Sequence, residues 1–185
     1  MTPTQRDLVE RSAGGDQLAF DVLVRSVLDR MYAIAHRILR DQESTKDVVQ
    51  TALWQAWRDL PALRDPDRFE AWLRRLLVRS CYEEARRQRR QPIVTLIDPD
   101  RYSVADPTRV VADRDALDRA FMRLSPEHRI VVVLHHYEGL TLVEVAQSLG
   151  IPVGTARSRL HYGLARLRDA MRHDDLAPMV REIPA

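Results

Sequence analysis

Apolar residues recur at threes and fours along most of the chain, and this spacing predicts helices almost throughout. From Asp16 to Arg40, Leu18, Phe20, Val22, Leu23, Val27, Leu28, Met31, Ile34, Ala35 and Ile38 mark a helix with one apolar side. Ser44-Thr45-Lys46-Asp47 reads as a capping box, in which a hydroxyl and a carboxylate three residues apart satisfy each other's backbone N–H. It opens a second helix that turns Val49, Ala52, Leu53, Ala56, Trp57 and Leu60 inward and stops at Pro61. Asp65-Pro66 restarts the chain with an N-cap and a proline in the first helical turn. The helix that follows is expected to bury Phe69, Trp72, Leu73, Leu76, Leu77, Ser80 and Cys81 before it runs into a basic tract closed by Pro92.

The period then fails. Pro92 to Pro107 holds three prolines and several aspartates and reads as a linker, with Ile93 to Ile97 as extended chain that docks on a neighbour. Helical spacing resumes near Val111 with Ala116, Leu117, Ala120, Phe121 and Leu124. Ser125-Pro126 then begins a short apolar helix that reaches Tyr137, and Glu138-Gly139 makes a turn. Beyond Asp174 the pattern is lost, so the tail is expected to fray, with Met179, Val180 and Ile183 available to dock. The fold class expected is all-α: two small helical domains joined by a flexible linker. The boundaries are an arm over 1–15, a first module over 16–91, the linker over 92–112, a second module over 113–173 and a tail over 174–185. A tether of roughly twenty residues spans tens of Å. The free modules are nevertheless expected to pack together, because each alone has a limited core and a basic surface.

Thr141 to Leu160 is the most informative stretch. Thr141 and Glu144 form a capping box, and Val145, Ala146 and Leu149 share a face. Ala146 is small enough for a second helix to cross closely. Gly150 ends the first helix where a left-handed residue is needed, and Pro152 fixes the restart. The next helix is expected to turn Ala156, Leu160, Leu164, Leu167 and Met171 inward and Arg157, Ser158, Arg159 and His161 outward. This is a helix-turn-helix whose second helix suits a DNA major groove.

Composition narrows the class. No stretch of about eighteen apolar residues predicts a membrane span, and the first sixteen residues lack the apolar run of a signal peptide. Cys81 is the only cysteine, so no internal disulfide is expected, and a reducing cytoplasm is the simplest home. The formal net charge of +2 hides clusters. Lys46 is the only lysine among 29 basic residues, which fits a GC-rich codon bias. Clustering is a separate signal: Arg74, Arg75, Arg79, Arg86, Arg87, Arg89 and Arg90 form one basic group and Arg157, Arg159, Arg166, Arg168 and Arg172 another.

The order of these parts resembles the extracytoplasmic-function sigma factors of bacterial RNA polymerase. Three groups of residues carry the resemblance: Asp47-Val48-Val49-Gln50 with Ala56-Trp57-Arg58; Phe69-Glu70-Ala71-Trp72-Leu73 with the arginines after it; and Tyr137-Glu138-Gly139-Leu140 with Gly150 through Leu160. It covers nearly the whole chain, from about Asp16 to Arg172, and assigns region two to the first module and region four to the second. The resemblance implies core RNA polymerase and promoter DNA as partners, and admits an anti-sigma factor. It implies that Asp47, Gln50 and Arg58 bind core polymerase. For the minus-10 element it implies base capture by the loop carrying Leu63 and Arg64. Arg74, Arg75, Arg79, Arg86 and Arg87 would then hold the backbone of separated strands. For the minus-35 element it implies Thr155, Arg157, Ser158, Arg159, His161 and Tyr162. Trp54 lies off the apolar stripe and is expected to be partly core, with a place in the polymerase interface as the other option. Trp72 lies in the stripe and is expected to be core rather than a stacking platform.

Four positions depart from the family's pattern: Arg79 and Glu83 where many members have Asn and Asp, Thr51 where Glu is usual, and Tyr162 where Arg is common. No catalytic residue, metal or cofactor is expected. His128, His135, His136 and His161 with Glu127 and Glu138 do not make a ligand set, because adjacent histidines point about 100° apart on a helix. Two other readings remain open at this stage: a helix-turn-helix regulator with a helical sensing domain, and a sigma-like decoy that binds an anti-sigma factor.

Overall fold

A computed structural model of the protein describes residues 3–90 and 117–181, and every described regular element is helical. The linker, the run Ile93 to Ile97 and the start of the second block near Val111 lie outside the described residues. The first module holds four helices. These are α1 (Gln5–Ala13), α2 (Gln17–Leu39), α3 (Gln42–Asp59) and α4 (Phe69–Arg90). The second holds α5 (117–122), α6 (Pro126–Val132, continued by one π-turn over Val133–Tyr137), α7 (Leu142–Leu149) and α8 (Val153–Arg181).

The N-terminal arm is itself structured. A capping box of Thr4 and Asp7 starts α1, and Leu8, Val9 and Ser12 are buried against the bundle. Asp16 caps α2 through Ala19 N–H, and the helix ends at Arg40 in the left-handed region. That sharp end corrects the expected start of α3. Asp41, directly after the break, accepts from Ser44 N–H at 2.7 Å and initiates the helix one turn before the Ser44-Thr45-Lys46-Asp47 box. Thr45 is thereby buried and donates its hydroxyl to the Asp41 carbonyl.

Inward residues of α2, α3 and α4 form one core. Its largest fully buried side chains include Leu23, Ile38, Val49, Leu60, Phe69, Leu77 and Val78. Leu18 and Val22 do not join it; Leu18 is 76% exposed, because the buried stripe of this part of α2 runs through Ala19 and Leu23, and the helical period turns Leu18 and Val22 away from it. In the second module, Ile130, Val131, Val133, Leu134, Val145, Ala146 and Ala156 continue the same apolar cluster, so the two modules share a core. The tail also departs from expectation: α8 continues to Arg181 instead of fraying from Asp174. Met171 is half-exposed, and Gly163 and Ala170 take the inward positions instead. A Cβ on Gly163 would lie 3.1 Å from Val132 Cγ2 and 3.3 Å from His128 Cβ, so α8 crosses α6 at glycine distance.

Candidate nucleic-acid interface

The helix-turn-helix is built by local chemistry. Thr141 Oγ1 accepts from Glu144 N–H, and the Glu144 carboxylate accepts from Thr141 N–H at 2.8 Å. These bonds hold the Glu144 carboxyl below the usual carboxylate range. Gly150 closes α7 at φ 63°, a conformation that costs a glycine little. With Val145, Ala146 and Ala156 buried at the crossing, α8 presents its opposite face to solvent. Arg157, Ser158, His161 and Tyr162 are exposed there, Tyr162 at 60%, and Thr155 and Arg159 are half-buried at its margins. His161 and Tyr162 meet edge to face at 5.5 Å. Arg157, Ser158, His161 and Tyr162 therefore share the outer face of α8, with Thr155 and Arg159 at its margins.

The first module places its basic residues along α4. Arg75, Arg79, Arg86 and Arg87 are exposed, and Arg74 is half-buried. Arg79 bonds Glu83 at 3.0 Å, so two of the departures from the family's pattern satisfy each other as an i,i+4 pair. Arg87 makes a two-bond contact with Glu84, and the Arg86 guanidinium lies 5.9 Å from the Tyr82 ring. Pro61 to Asp65 is held between two short 3₁₀ turns, Leu60–Ala62 and Pro66–Arg68, the second capped by Asp65. Within this loop Arg64 is exposed and Leu63 packs partly on the core. Trp72 is half-buried against the core, its ring 6.1 Å from Phe69.

On α3, Asp47, Gln50 and Arg58 are exposed on the side away from the buried stripe. Trp54 accompanies them at 60% exposure, with the Arg58 guanidinium over its ring at 4.8 Å. This corrects the expectation that Trp54 is partly core: Ala52 and Ala56 fill the inner face, and the helical period carries residue 54 to the outer one. A shallow hollow lined by Phe20, Tyr32, Val49, Leu53, Trp54 and Trp57 adjoins Gln50. An exposed aromatic face rimmed by polar groups has the character of a protein-binding surface.

Comparison with known proteins agrees with this geometry. The family profile for sigma-70 region 2 matches residues 23–91, and that for sigma-70 region 4 matches residues 120–169. The RNA polymerase sigma-E factor of Streptomyces avermitilis is 35% identical over 89% of this chain and 91% of its own. The chain belongs to the extracytoplasmic-function sigma factors. It is an alternative sigma factor of RNA polymerase. A second relative, the ECF RNA polymerase sigma factor SigM of Mycobacterium tuberculosis, is 34% identical over 87% of this chain and 81% of its own. Among solved structures, CnrH in complex with the cytosolic domain of CnrY matches with a TM-score of 0.62. It is 25% identical and covers 92% of this chain and 98% of that one.

Sequence reasoning missed the residues that join the two modules of this sigma factor. Arg129 is buried, and its guanidinium donates to the carbonyls of Ile38, Phe121, Met122 and Leu124. Burial and the nearby Arg40 push its pKa down to about 10, which leaves it charged at neutral pH. The only signal was an arginine interrupting an apolar run, Arg129 before Ile130-Val131-Val132-Val133-Leu134. Glu138 reaches back to Arg30 and Arg74, and the Arg37 guanidinium lies 3.8 Å from the Tyr137 ring centre. No local signal pairs residues so far apart in sequence.

Proposed function

We propose that this sigma factor binds core polymerase through the outer face of α3, traps unpaired minus-10 bases with α4 and its preceding loop, and reads minus-35 duplex with α8. Asp47, Gln50 and Arg58 contact the polymerase. Leu63 and Arg64 line the base-capture loop, while Arg74, Arg75, Arg79, Arg86 and Arg87 hold the separated strand by its phosphates. Arg157, Ser158, His161 and Tyr162 enter the major groove, with Thr155 and Arg159 on the backbone or base edges. The protein works in the cytoplasm, and the likeness to CnrH, solved in complex with the cytosolic domain of CnrY, supports a further protein partner, read here as an anti-sigma factor. The observation that carries the reading is the outer face of α8, where Arg157, Ser158, His161 and Tyr162 are exposed together directly after the turn that Gly150 closes.

In vitro transcription with core polymerase on a randomised promoter library tests it. Arg157→Ala should lower discrimination at one minus-35 position by about 1–3 kcal/mol, a factor of roughly 5 to 150, without changing core affinity. Asp47→Ala with Gln50→Ala should weaken core binding at least about tenfold while leaving minus-35 duplex binding intact. If both variants transcribe like the parent, the residue assignments are wrong.

A further inference from the structure

Glu138 occupies the junction of the two modules. Its side chain is only 2% exposed, and both oxygens face cations of the first module. Arg30 of α2 binds it through two nitrogens, Nη2 to Oε2 at 2.9 Å and Nε to Oε1 at 3.3 Å. Arg74 of α4 approaches the same Oε2 through Nη1 at 3.4 Å. Arg30 also lies 3.6 Å from Glu70. A carboxylate held in a guanidinium fork has the shape and charge of a bound phosphate, because both present paired oxygens to a planar donor.

The junction is not fully satisfied. Arg74 Nε is buried with no hydrogen-bond partner among the described residues, beside a cavity of about 30 Å³ that Glu70, Arg74 and Glu138 help to line. Arg30 is half-exposed at 51%, so solvent and salt reach its side of the contact. A buried donor left unmade opposes closure, while the ion pairs favour it. Alongside, the turn of the helix-turn-helix closes over the arginine helix. Gln147, Ser148 and Gly150 share a hollow of about 480 Å³ with Arg75, Arg79 and Arg86.

We propose that Glu138 is an internal substitute for a DNA phosphate on Arg74, so that closure of region four and capture of the minus-10 strand exclude each other. The inference rests on the reading of α4 as the strand-holding helix. Free, the protein holds region four against α4 through Glu138, Arg30 and Arg74, alongside the shared apolar core and Arg129. The phosphate backbone of a single strand competes for Arg74, satisfies the donor that closure leaves unmade, and frees region four to move to its own site.

The test uses the full chain labelled through Asp21→Cys on α2 and Asp169→Cys on α8. Cys81 is buried and its thiol is pushed far up by burial, so it stays unlabelled. Energy transfer should show one compact population in the parent. Glu138→Gln and, independently, the surface change Arg30→Gln should each raise the open-to-closed ratio about tenfold. Glu138→Gln should also tighten binding of a fluorescent single-stranded oligonucleotide several-fold, and that oligonucleotide should open the parent. Unchanged distances in both variants would overturn the latch. Opening without tighter strand binding would overturn the phosphate mimicry. The underlying reading is checked separately: Arg75→Ala with Arg79→Ala in the Glu138→Gln background should weaken strand binding. If it does not, the assignment of α4 fails, whatever the distances show.

Discussion

Replacing Arg129 with methionine is expected to lower the melting temperature by about 10 °C. The change keeps most of the apolar stem and removes the guanidinium. Replacing a buried ion pair with apolar groups is often harmless, but only when both partners go. Here the partners are the backbone carbonyls of Ile38, Phe121, Met122 and Leu124, and they cannot be removed. Each buried polar group left unsatisfied costs about 1–3 kcal/mol. The Phe121 and Met122 carbonyls regain some of that from water, because their contacts are only partly buried. A net loss of about 3–5 kcal/mol follows, and at roughly 2–4 °C per kcal/mol for a chain of this size it gives the stated shift. Lysine should recover only part of it, since an ammonium has three donors at one point and cannot span four carbonyls. Calorimetry of the parent, Arg129→Met and Arg129→Lys decides the matter. A methionine variant that melts within about 2 °C of the parent would show that the carbonyls find other donors.

Arg129 also marks where sequence legibility ended. Elements set by neighbours in the chain were readable: the Thr141–Glu144 box, Gly150 at the helix end, Asp16 at the start of α2, and Ser125 bonding His128 N–H ahead of Pro126. Each is settled within one helical turn. Errors arose where two local signals competed or where a distant partner decided. Asp41 and Ser44 are both good caps, and Asp41 won because Arg40 breaks α2 immediately before it. The apolar period admits Leu18 and Val22 as inward, but Ala19 and Leu23 take the buried side of that end of α2. Tryptophan's size suggested burial for Trp54, and the spacing from Ala52 and Ala56 overrode it. The outward side of Arg157, Ser158 and His161 on α8 was legible for the same reason as the caps, since on a helix spacing fixes which side a residue takes; a role toward DNA is what the family resemblance implies. The contact between modules was not, because Arg30 and Glu138 are 108 positions apart.

Phe69→Ala is expected to cost about 3–5 kcal/mol, as large aromatic truncations in a packed core do. Phe69 is fully buried at the first position of α4, directly after the turn capped by Asp65, and its ring packs beside Trp72. It therefore anchors both the helix whose arginines are proposed to hold the separated strand and the loop proposed to receive a base. Leucine at this position keeps most of the apolar volume and should cost less than about 1.5 kcal/mol. The loss should fall unevenly on function. Region four keeps its own packing of α6 and α7 against α8, so binding of minus-35 duplex at low temperature should stay within about twofold of the parent. Transcription from a closed duplex promoter should fall at least tenfold, because a loosened loop no longer holds an unpaired base against reannealing. Urea denaturation gives the first quantity, and duplex binding and run-off transcription give the other two. Equal losses in duplex binding and in promoter opening would mean that the shared core makes the two modules one cooperative unit, and that Phe69 supports both of them.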